Sequence, residues 1–228
     1  MELPFIVNSS VGRKFVMSLS GAFLVLFFSF HAVMNVVAII SSDAYNWICA
    51  VLGANWYAIA GTLIIAGGVV LHILYGIWLT LQNRRARGTE RYAVSKNPPG
   101  VAWSSKNMLV LGFVVLGGLV IHLVHFWSKM QLVELMGAHE NALGLSPQDG
   151  AGLIEYTFSH WYNVVIYLVW FAALWFHLTH GIWSMFQSSG ISGQTWLPRL
   201  KCISNIWTTV VVGMFALVVI VFFIKSLF

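Results

Sequence analysis

The chain reads as an all-α integral membrane protein, a single domain over residues 1–228 with five transmembrane helices, four in a bundle and one peripheral. Three observations predict this. Hydrophobic residues make up 59% of the chain and charged ones only 8%, with a mean hydropathy of +0.81, far from the balance of a water-soluble domain. Five stretches reach the roughly 20 apolar residues that a span needs, and none contains Asp, Glu, Lys or Arg. Four of the five carry a histidine sixteen residues from one edge: Phe15 to His31, Trp56 to His72, Lys106 to His122 and Trp161 to His177.

The first segment, Phe15–Ile40, is longer than the apolar core of a signal peptide and lacks a small-x-small cleavage site, so it is expected to persist as a helix. The second, Trp56–Leu81, runs into an Arg-rich loop that turns at Asn97-Pro98-Pro99-Gly100 before the third, Asn107–Ser128. A longer loop, Lys129 to His160, precedes the fourth, Trp161–Phe186. It carries turn signals at Ser146-Pro147 and Gly150-Ala151-Gly152, and a short helix is expected in Met130–Met136. The fifth, Ile203–Ile224, has no histidine and is read as peripheral. Trp47, Trp56, Trp103, Trp127, Trp161 and Trp207 fall at segment edges, where an aromatic belt belongs.

Charge gives the orientation. Of twelve Lys and Arg residues, ten lie in segments that alternation puts on one side: Arg13, Lys14, Arg84, Arg85, Arg87, Arg91, Lys96, Lys106, Arg199 and Lys201. The opposite loops hold Asp43, Glu134, Glu140, Asp149 and Glu155 against Lys129. The positive-inside rule then predicts a multi-pass protein of a bacterial inner membrane, N-terminus in the cytoplasm and C-terminus on the periplasmic side. Topology accounts for the net charge of +5, and no nucleic-acid partner is expected. Cys49 and Cys202 fall on opposite sides and cannot pair with each other.

The first four segments repeat. Gly21-x9-His31 matches Gly112-x9-His122, and His72-Ile-Leu-Tyr75-Gly76-Ile-Trp78-x3-Gln82 matches His177-Leu-Thr-His180-Gly181-Ile-Trp183-x3-Gln187. Repeats in membrane bundles place sites at their interface. Because odd segments run outward and even ones inward, equal counts give two depths: His31 with His122 towards the outside, His72 with His177 towards the cytoplasm, on the order of 10 Å apart.

Ionisable groups in hydrocarbon are costly and mark function. Two imidazoles at each of two levels suit the two axial positions of a haem iron, which predicts two b-type haems with an electron-carrying role and no open coordination position. A structural zinc site would want four clustered ligands. A haem-free, histidine-based proton-coupled transporter is the alternative of another class. His125 and His180, each three residues after a ligand, are alternative ligands, but their repeat counterparts are Met34 and Tyr75, so the repeat selects His122 and His177. Gly76 and Gly181, one turn after a histidine, leave clearance for a macrocycle edge or let two helices approach closely.

The alternating Gly-x9-His and His-x3-Gly helices from Phe15 to Phe228, with Phe176-His177-Leu-Thr-His180-Gly181-Ile-Trp183-Ser-Met-Phe-Gln187, resemble the cytochrome b membrane anchor of succinate dehydrogenase or fumarate reductase, in its single-subunit, five-helix, two-haem form. The resemblance implies an anchor that carries electrons between a docked cytoplasmic iron–sulfur subunit and membrane quinone, usually menaquinone. It implies a flavoprotein partner that acts on the dicarboxylate, an anchor that does not bind the dicarboxylate itself, and room for a dimer of complexes. It assigns His72 and His177 to the haem nearer the iron–sulfur subunit, His31 and His122 to the outer one, and Ser18 to the neighbourhood of the inner haem. Two carboxylates of some members are missing: Trp175 stands at one position, and the other falls near Gly53. No quinone-site residue follows from the resemblance; polar residues at the outer ends include His160, Glu155, Asp43 and Asn55. The runner-up among redox proteins is the cytochrome b subunit of a membrane hydrogenase or formate dehydrogenase.

Overall fold

The structure is a computed structural model that describes residues 9–87, 103–188, 190–191 and 193–228. The Asn97-Pro98-Pro99-Gly100 turn, Arg91 and Lys96 lie outside these residues. Helices account for nearly all of the regular structure, and no strand occurs among the described residues. In chain order they are α1 (Ser10–Ile40), α2 (Ser42–Val51), α3 (Trp56–Arg87), α4 (Trp103–His125), a 3-10 turn (Trp127–Lys129), α5 (Gln131–Leu135), α6 (Gly150–Phe158), α7 (Trp161–Ser188) and α8 (Trp196–Lys225).

Five of these, α1, α3, α4, α7 and α8, are long and apolar enough to cross a bilayer, so the chain is a multi-pass membrane protein. Four of them, α1, α3, α4 and α8, run past the apolar segment into basic residues such as Arg13, Arg84, Arg85, Lys106 and Arg199, whose long stems let a helix continue into the headgroup zone. α1 starts where the Ser9 hydroxyl accepts from Gly12 N–H at 2.8 Å, a side-chain cap for an otherwise orphan donor. Ser41 ends α1 and also caps α2, accepting from Ala44 N–H at 3.2 Å.

The long helices form an open ring in the order α3, α1, α7, α4. Neighbours pack along their lengths except α3 and α4, which scarcely touch, so the ring has one open seam. Lipid is as apolar as leucine, so packing in such a bundle depends on close fit and small residues. In α1 the small Ala32 and Ala38 are completely buried and Ser20 is buried too. At Gly118 in α4 any Cβ would run into the indole of Trp170.

α8 lies outside the ring, as expected of a helix without histidine, but it is closely packed. It covers the α1–α7 seam and buries Leu200, Ser204, Thr208, Val211, Val212, Phe215, Val218, Val219 and Phe222, more of its length than any ring helix. The Ser204 hydroxyl donates to the Thr179 carbonyl at 2.5 Å.

One end of the ring carries a cap of α2, α5 and α6; the other is basic. The short helix expected in Met130–Met136 is α5, whereas α2 and α6 form where loops were expected. α6 packs against α8 and α2 and buries six of its nine residues, Gly150, Ala151, Leu153, Ile154, Thr157 and Phe158. Asp149 knits the cap together: one carboxylate oxygen accepts from Asn46 Nδ2 at 2.8 Å and from Gly152 N–H at 3.0 Å. Gly137 and Gly144 turn the chain between α5 and α6 with φ of +71° and +72°, a conformation that other residues adopt only at a cost.

Candidate functional site

The four recurrent histidines meet across the ring as two diagonals. His31 of α1 faces His122 of α4 with ring centroids 5.8 Å apart, and His72 of α3 faces His177 of α7 at 6.3 Å. Neither diagonal pair of helices packs backbone to backbone along its length, so in both cases the side chains reach over interior space. All four rings are half-buried.

The two pairs lie at different levels. A Cβ built on Gly21 would sit 3.4 Å from His72 Cε1, and one on Gly112 would sit 4.0 Å from His177 Cε1, so the two glycines mark the depth of the second pair. His31 and His122 each follow their glycine by ten residues, about 15 Å along a helix, towards the cap.

Each pair offers two imidazoles and no further donor. Among the described residues no group of three or more His, Cys, Asp or Glu converges, so a bare ion would lack ligands. A metal whose remaining ligands come with it suits the set. Imidazole nitrogens at about 2 Å on opposite sides of one metal, with ring radii near 1 Å, put centroids roughly 6 Å apart, which both pairs meet. The open seam between α3 and α4 leaves space beside them. The buried His177 Nδ1 has no hydrogen-bond partner among the described residues. The residues present therefore fit a haem held between each pair.

The glycines one turn after His72 and His177 divide. Gly181 faces open space, as clearance requires, while a Cβ on Gly76 would meet Met17 Cε at 3.5 Å, an ordinary helix-packing contact. His125 is not aimed at the cap-end pair's space alone: its ring stacks on Tyr167 at 5.9 Å and shares a 3.3 Å hydrogen bond with the Tyr167 hydroxyl. His180 packs edge-on against Trp183 at 4.8 Å, and its buried Nδ1 lacks a partner. The repeated tryptophans each carry a cation over one face, Arg13 at 5.1 Å over Trp78 and Lys201 at 4.9 Å over Trp183, which ties both to the basic end.

Several residues near the pairs were not legible in the sequence. The Ser20 hydroxyl lies 3.2 Å from His72 Nδ1. Two positions apart on a helix are about 200° apart around it, so Ser18 and Ser20 look in opposite directions. At the cap end, Asn35 Nδ2 donates to the His31 carbonyl at 2.8 Å, and Tyr45 of α2 donates to Asn35 Oδ1 at 3.2 Å. Trp170 tilts over His122 at 5.9 Å with its indole N–H donating to the Val115 carbonyl at 3.0 Å, and Phe215 of α8 approaches His31 at 5.6 Å. The tilted rings of Phe126, Phe158 and Tyr167 close this end beneath the cap.

A carboxylate does stand beside Gly53. Glu134 of α5 folds back so that Oε2 accepts from Ala54 N–H at 3.0 Å, while Oε1 accepts from Gln148 Nε2 at 3.2 Å. Next to it the buried Gln131 accepts from Thr62 at 2.8 Å and Trp127 at 2.9 Å and donates to the Gly53 carbonyl at 2.9 Å. The other polar residues at this end have local duties: Asn55 donates to the Val51 carbonyl at 3.0 Å, and His160 Nδ1 bonds the Tyr156 carbonyl at 2.9 Å. Asp43 lies in the first turn of α2, where a negative charge opposes the helix dipole. Glu155 is exposed.

Neither a scan of protein-family models nor comparisons with curated proteins and solved structures finds a match for this chain.

Proposed function

We propose that this chain is a two-haem cytochrome b that anchors a succinate dehydrogenase or fumarate reductase and carries electrons between a cytoplasmic iron–sulfur subunit and membrane menaquinone. The observation that carries the reading is the pair of histidine diagonals at two levels of one bundle. His72 and His177 hold the haem nearer the basic end, and His31 and His122 hold the other. A b-type haem with two imidazoles takes up and releases single electrons and leaves no position for oxygen.

The chain's own residues do the rest. The basic end, with Arg84, Arg85, Lys106 and Arg199, faces the cytoplasm by the positive-inside rule and offers charge to a docked subunit. Phe126, Phe158 and Tyr167 keep water from the cap-end pair. With the cap packed over that end, an apolar quinone approaches from the lipid. The anchor itself offers no site for the dicarboxylate, which belongs to the flavoprotein.

The test is to purify the intact complex and record its reduced-minus-oxidised visible spectrum, haem content and subunits. The expected outcome is b-type absorption, two haems per chain, and reduction by succinate through copurifying flavin and iron–sulfur subunits. Hydrogenase or formate dehydrogenase subunits in their place would move the chain to those enzymes. A folded, haem-replete preparation with no b-type absorption would remove electron transfer and leave the proton-coupled transporter.

A further inference from the structure

The duplication is broken next to the ligands. Ser20 is only 6% exposed and its hydroxyl donates to the Met17 carbonyl at 3.0 Å. With the hydroxyl's single hydrogen on the Met17 carbonyl, its 3.2 Å contact with His72 Nδ1 calls for the imidazole as donor. In that tautomer the His72 proton sits on Nδ1, and Nε2 keeps its lone pair for a metal. Gly21, next in sequence, lets the ring come this close, since a Cβ there would already touch His72 Cε1.

In the second repeat Gly112 stands beside His177 in the same way, but the residue before it is Leu111. Leu111 is equally buried at 6% exposure and its side chain has nothing to offer an N–H group, and His177 Nδ1 is buried without a partner among the described residues. One imidazole of the pair has an acceptor built into the fold and the other does not.

We propose that Ser20 is a positioning residue that locks the tautomer of His72 and makes it the stronger donor of an unequal ligand pair. The tautomer follows from this chain alone; the effect on iron rests on the two-haem reading. A hydrogen-bond acceptor behind a ligating imidazole raises its basicity and favours the oxidised metal. The basic-end haem therefore has a lower midpoint potential with Ser20 than without it.

The experiment combines two measurements on the full chain. Nitrogen-15 NMR of labelled histidine in haem-free protein should show His72 protonated at Nδ1, unchanged in Ser20→Thr and lost in Ser20→Ala. In the haem-loaded complex, Ser20→Ala should raise the midpoint potential of one haem and weaken its retention about ten- to a hundredfold, leaving the other unmoved. Leu111→Ser, which gives His177 the missing acceptor, should shift the same haem the opposite way. An unchanged His72 tautomer with an unchanged potential in Ser20→Ala overturns the inference. A protein that binds no haem overturns the two-haem reading instead, and the tautomer measurement still decides the role of Ser20.

Discussion

His177 and His180 stand one helical turn apart on α7, and their surroundings distinguish them. His177 faces His72 across the ring, whereas His180 turns to Trp183. Replacing His177 with alanine should cost one low-spin haem, while the same change at His180 should leave two; pyridine-haemochrome counting with electron paramagnetic resonance checks this, and the reverse result would shift the register. The positions of the four paired histidines were legible because the same count from an edge recurs in four segments. Ser20 was not legible, because choosing between two serines on opposite sides of a helix needs the helix's rotation. Glu134 was hidden for another reason: no local pattern tells that a carboxylate on a short helix eighty residues from Ala54 will fold back onto it.

At the scale of elements, α4 and α7 depend on one close approach. The Trp170 indole lies against Gly118, and the same indole flanks His122. Gly118→Leu should therefore cost about 1–3 kcal/mol by overpacking. It should also displace Trp170 and loosen the haem at His122 before the one at His177, read as a fall in midpoint temperature and selective loss of one haem on heating in detergent. Equal loss of both would argue against this local coupling. The five long helices could be read from apolar length alone, but two of the three cap helices could not. Gly150 and Gly152 disfavour helix by propensity, yet they lie in α6, because a Cβ on Gly150 would collide with Cys49 and Tyr45 of α2. Tertiary contact overrode the local signal there. The fifth span was placed correctly outside the histidine helices, but its deep burial along α1 and α7 does not follow from lacking a histidine.

For the molecule as a whole, the two cysteines report orientation. Cys49 belongs to the cap and Cys202 to the basic end. Burial pushes the Cys49 thiol up to about 11 and raises the Tyr45 phenol as well, so at pH 8 on the order of 0.1% of Cys49 is thiolate. An impermeant maleimide should label exposed Cys202 only from the cytoplasmic side and Cys49 slowly and only from the other, faster as pH rises; labelling of both from one side would contradict the orientation. Because the folded thiol titrates above its unfolded value near 9, its contribution to the cap is complete below that pH and disappears as pH rises towards 11. The diagonal pairing has a consequence of its own. Each imidazole couple takes one member from α1–α3 and the other from α4–α7, so neither half can hold a metal by itself. Two copies of a single ancestral hairpin, standing side by side about a twofold axis normal to the bilayer, would seat both irons on that axis, each clasped by the same residue from both protomers. In this chain Leu111 stands where the other half has Ser20, and that difference beside the paired imidazoles breaks the symmetry.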